Sequence, residues 1–85
     1  MEKHQDSVVG YEGTLEDLAH AVGGMKYAAA AKFLGELGQD IERQAKADEV
    51  KGRVQLSSQL YSTARELYKA SEEMQAAWKI CEPHM

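Results

Sequence analysis

Residues 54–81 read VQLSSQLYSTARELYKASEEMQAAWKIC, and over roughly eight turns apolar side chains recur at helical spacing without a Gly or Pro. Leu60, Leu67, Met74 and Cys81 stand seven residues apart, the repeat of a packed helical seam. Leu56, Ala64, Ser71 and Trp78 complete that narrow stripe. Val54, Tyr61 and Tyr68 form a second strip, about 100° round the same helix. The polar side carries Gln55, Gln59, Ser62, Glu66, Lys69 and Glu73, with Lys69 and Glu73 spaced as an i,i+4 ion pair. Pro83 then stops the helix. Two apolar strips on one helix are more than a single neighbour covers, which points to an all-α fold that meets another protein.

Working back from this helix, Gly52 favours a turn, and Asp48 is the expected cap of the third helix, unless residues 45–51 continue as one bent rod. A second helix is expected over residues 25–46. Its stripe is Tyr27, Ala30, Leu34, Leu37, Ile41 and Ala45, at 100° per residue. Beside it runs an edge of small residues, Ala31, Gly35 and Gly38, that lets another backbone come close. Each glycine costs about 1 kcal/mol of helix propensity, so a kink or break near Gly35 to Gly38 is the alternative. A short first helix begins at Thr14, whose hydroxyl can accept from the amide near Asp17, with Glu16 and Asp17 at the positive helix end. Leu15, Leu18, Ala19 and Val22 make its apolar face, and Gly23-Gly24 ends it through the left-handed conformation open to glycine.

These expectations assemble into a small three-helix domain: a short N-terminal helix and two long antiparallel helices, folded about residues 47–52. Residues 1–13 are read as a flexible arm, 14–82 as the helical domain and 83–85 as a tail. Helix two should cover helix three only to about Ser71, leaving Met74, Ala77, Trp78 and Cys81 for helix one. Tyr61, Tyr68 and Val54 would then stay partly bare, and a second copy would cover them in a symmetric helical bundle. The expected interface therefore draws on Leu60, Tyr61, Leu67, Tyr68, Met74 and Trp78, with Val54 at the helix start. Helix two contributes Leu34, Leu37 and Ile41.

Composition narrows the function. Eighty-five residues make a marginal core, and the single cysteine cannot form an internal disulfide, so oligomerisation is the expected source of further stability. A net charge of −4 argues against a general grip on nucleic acid phosphates and against anionic membranes. No apolar run approaches a membrane span, and the N-terminus lacks the layout of a signal peptide, so a cytoplasmic protein is expected.

Candidate chemistry is thin. Cys81 and His84 have a Cys-x-x-His spacing that His20 could join, but a zinc site needs three or four ligands in fixed geometry. Glu36, Asp40 and Glu42 lie on helix two with no facing carboxylate except Glu66, Glu72 and Glu73, on a side expected to be solvated. No enzyme activity, cofactor or metal is expected. The expected role is a protein-protein assembly module, a homodimer that could also present a surface to a larger partner. The alternative is a DNA-binding regulator, because Leu18-Ala19, Val22-Gly23 and the helix that follows have a helix-turn-helix layout. Its recognition helix would offer one Lys and no Arg, Asn or Gln to base edges, and Lys32 stands where an apolar anchor belongs.

Overall fold

The computed structural model describes residues 4–84, and among these the only regular elements are helices. They are α1 (Leu15–Gly23), α2 (Tyr27–Val50) and α3 (Val54–Cys81), followed by one 3₁₀ turn over Glu82–His84. The expected all-α architecture is present: α2 and α3 form a long antiparallel hairpin, and α1 is a short helix at its open end.

Local chemistry sets the start of α1. The Thr14 hydroxyl accepts from the Asp17 amide at 3.0 Å, and the Asp17 carboxylate accepts from the Thr14 amide at 3.2 Å. This reciprocal capping box satisfies two amides that the first turn leaves without partners. The helix ends at the double glycine as expected, but not through a left-handed residue. Gly24 has φ −85°, and its N–H donates to the carbonyls of His20 and Ala21, which tightens the last turn instead.

α2 is continuous through Gly35 and Gly38, so the break considered above does not occur, and the helix runs on to Val50. Packing explains why. A Cβ built at Gly38 would lie 3.0 Å from Tyr68 Cε1 and 3.3 Å from Leu67 Cβ, so the missing side chain is what admits α3. One turn further up, the Ser71 hydroxyl donates to the carbonyl of Ala31 at 2.6 Å, a bond that also requires close backbones. Tertiary contact here offsets the propensity cost of the glycines.

The hairpin turn corrects the expected cap. Asp48 lies inside α2 rather than at the start of α3, and its carboxylate accepts from Arg53 at 2.9 Å across the turn. Arg53 occupies the N-cap position of α3 without a side-chain cap. Gly52 makes the reversal, with φ +79°, the region where glycine alone carries no steric penalty. At the other end Glu82–His84 continue as a 3₁₀ turn through Pro83. The exposed Lys69 ammonium lies 3.7 Å from Glu66 rather than pairing with Glu73, and such a surface pair contributes little.

The core differs most from expectation. Its buried residues are Ala30, Ala31, Gly38 and Ala45 on α2, with Ser57 and Ala64 on α3. Ala31, Gly38 and Ala45 are seven apart, as are Ser57, Ala64 and Ser71, so small residues line the contact of the two helices. The large seam residues Leu60, Leu67 and Met74 flank this contact and are only half-buried. Among the described residues no large side chain is fully buried.

Candidate functional site

Helical geometry gives the hairpin two unlike flanks. A residue four positions after the small-residue row lies about 40° to one side of it, and a residue three positions after lies about 60° to the other. On α3 the first rule selects Tyr61 and Tyr68, and on α2 it selects Glu42 and Glu49. The second selects Leu60, Leu67 and Met74 on α3, with Leu34, Ile41 and, at the turn end, Asp48 on α2.

The tyrosine flank is closed within the chain. Tyr61 donates to Glu49 at 2.9 Å and Tyr68 donates to Glu42 at 2.6 Å. Both tyrosines and both glutamates repeat at seven residues, so the antiparallel register that makes one pair makes the next. Both rings are half-buried, whereas Val54 is 70 % exposed. The strip that sequence reading left for a second copy is thus divided: its two aromatic members have partners on α2, and its aliphatic member stays open. Glu42 stood out in the sequence only as a carboxylate beside Glu36 and Asp40, and Glu49 not at all, although their spacing matches that of the tyrosines.

These contacts hold the phenols above their ordinary range near 10. For Tyr61 the main cause is desolvation, followed by the hydrogen bond to Glu49. For Tyr68 the hydrogen bond to Glu42 comes first and desolvation second. A group whose folded pKa is raised contributes stability in full below its unfolded pKa and loses it as pH rises through the folded value. The hairpin should therefore be insensitive to these phenols at neutral pH and lose stability above about pH 10. Absorbance at 295 nm should show the Tyr61 and Tyr68 phenols ionising above the ordinary range near 10, and the double variant Tyr61→Phe/Tyr68→Phe should lack the alkaline loss. A wild-type melting temperature that falls no faster than the variant's above pH 10 would refute the pairing.

The opposite flank is aliphatic and open. Leu34, Ile41, Leu60, Leu67 and Met74 are half-buried along it, with Leu37 and Leu56 further out at 38 % and 47 % exposure. Three polar side chains interrupt it: Asp48 near the turn is paired with Arg53, and Gln44 and Thr63 have partners on their own helices. Gln44 donates to Asp40 at 2.9 Å, and the Thr63 hydroxyl donates to the Gln59 carbonyl at 3.0 Å. Covering this flank would leave the Thr63 hydroxyl and one Gln44 N–H bonded, while the second Gln44 N–H and its carbonyl oxygen would need partners from the other side. At the open end of the hairpin Leu15, Leu18 and Val22 of α1 stand over Phe33, Leu34 and Met74, enclosing a groove of about 400 Å³.

The remaining candidates are not drawn into one constellation. Trp78, Cys81 and His84 line an open hollow of about 500 Å³ against residues 23–27, while His20 lies against a different hollow, with Glu16 and Ala19. Among the described residues no three His, Cys, Asp or Glu side chains are placed to hold a metal ion. Asp40 is held below its ordinary range by hydrogen bonds from Arg43 first and Gln44 second. Glu42 receives Tyr68. No helix among the described residues is long and apolar enough to cross a membrane. No protein-family model, curated protein or solved structure matches this chain.

Proposed function

We propose that the protein is a cytoplasmic, non-enzymatic assembly module that pairs with a second copy of itself through the aliphatic flank of its hairpin. The residues assigned to the contact are Leu34, Leu37, Ile41, Leu60, Leu67 and Met74, from the interface expected above. Val54, Tyr61 and Tyr68, also expected at the interface, lie on the opposite flank and fall outside this contact, and Trp78 lies at the open end against residues 23–27. No chemical step is involved; binding is by apolar burial.

The observation that carries this reading is the absence of any fully buried large side chain among the described residues, in a chain whose core consists of alanine, glycine and serine. Surface area supports it. A compact monomer of 9.4 kDa would expose roughly 5,000 Å², whereas this chain exposes 6786 Å². Its radius of gyration, 15.3 Å, likewise exceeds the roughly 12 Å expected for its length. The N-terminal arm accounts for part of the excess. The remainder is surface open to a partner, beside the roughly 800 Å² per subunit that an ordinary interface covers. Pairing two such flanks across a two-fold axis yields a four-helix core.

Sedimentation equilibrium at micromolar concentration tests the proposal, with a mass near twice 9.4 kDa as the expected result. A stable, well-folded monomer throughout that range would rule it out.

A further inference from the structure

We propose, resting on the assembly reading above, that the two copies pair antiparallel and that α1 belongs to the interface, each copy's Leu56 entering the groove beneath the other copy's α1. α1 is well formed but poorly seated. Its N-terminus has a complete capping box, yet none of its residues is buried, and the apolar groove of about 400 Å³ lies open between it and the hairpin. Leu34 and Met74 line that groove and also belong to the aliphatic flank, so the groove is the upper end of the proposed contact.

Steric logic selects the orientation. α1 sits on one end of the flank, and a helix with its side chains is about 10 Å across. In a parallel pair the two copies of α1 would meet at the same end and hold the flanks apart. In an antiparallel pair each α1 lies over the turn end of its partner, and the flanks can close between them. The large apolar side chain of this flank at the turn end is Leu56, 47 % exposed and one helical turn before Leu60. Leu56 borders a hollow whose other lining is mainly polar, with Arg43, Gln44, Asp48, Lys51 and Arg53 of the hairpin and His4 of the arm, so Leu56 is the apolar point of a charged end; residues 4–10 are exposed and can give way.

Cross-linking distinguishes the arrangements. In a Cys81→Ser background, Ala19→Cys on α1 and Gln59→Cys, exposed beside Leu56, are introduced singly and together, and each protein is treated at micromolar concentration with a bismaleimide of about 10 Å reach. Within one chain the positions lie near opposite ends of the hairpin, since Gln59 and the groove residue Met74 are separated by roughly 22 Å along α3. The double variant is expected to give covalent dimers on denaturing gels, and each single variant to stay monomeric there. Dimers from Gln59→Cys alone would indicate parallel pairing and overturn the inference. So would a double variant that sediments as a dimer but does not cross-link, leaving the assembly reading intact. A Cys81→Ser protein that sediments only as a monomer would remove both.

Discussion

Leu37→Asp is expected to convert the protein from dimer to monomer at micromolar concentration, weakening association by at least 100-fold. Leu37 lies on the open flank and is 38 % exposed in the single chain, so part of its surface is left for a partner to cover. By two-fold symmetry the change enters the interface twice. Each copy forfeits about 1 kcal/mol of further leucine burial and brings in a carboxylate that must stay hydrated or be stripped of water at a cost of at least about 1 kcal/mol. Doubling these gives at least about 4 kcal/mol, more than the roughly 2.8 kcal/mol that a 100-fold change requires. Analytical ultracentrifugation reads the mass, and circular dichroism establishes that the helices persist. An unchanged dimer would mean that the copies do not meet on this flank.

A different effect is expected inside the hairpin. Ala45→Leu should lower stability by about 1–3 kcal/mol, the usual cost of forcing extra methylenes into a close-packed site. For a domain of this size that is a fall of roughly 4–20 °C in melting temperature. Ala45 is 0 % exposed and lies in the row of small residues on α2 that faces α3. A leucine there has nowhere to turn: the hairpin must open, which would also pull Tyr61 and Tyr68 away from Glu49 and Glu42. The better helix propensity of leucine over other large residues does not help, because alanine is already the best helix former. Thermal denaturation followed at 222 nm measures the shift. A melting temperature within a degree of wild type would show that the helices can separate at this level without loss. Leu and Met thus have opposite places in this protein from those usual in a helical seam. They lie beside the contact, and alanine lies in it.

Much of this was legible in the chain. The period of Leu60, Leu67 and Met74 announces a long helix, Thr14 with Asp17 announces the start of α1, and Gly52 announces the turn, because each signal acts within a few residues of backbone. Asp48 was misplaced because an aspartate next to a turn can cap the following helix or bind a cation across the turn. Only Arg53, brought within 2.9 Å by the folded reversal, decides between these. Gly35 and Gly38 were ambiguous for a similar reason. By propensity they weaken a helix, and only the presence of Tyr68, Leu67 and Ser71 against them makes the absence of a side chain favourable.

The sequence by itself determined that this chain is three helices with more apolar surface than it can bury, since periodicity and local capping are properties of neighbouring residues. It did not determine which strip faces inward. That depends on how near α2 and α3 approach, and the approach is set by two distant rows of small residues meeting in register, Ala31, Gly38 and Ala45 against Ser57, Ala64 and Ser71. At that spacing the tyrosines reach the glutamates of the other helix and close one flank, while the leucines are left along the other. The open surface therefore belongs to the aliphatic side, a choice made by the separation of the two helices and not by the hydrophobicity of either.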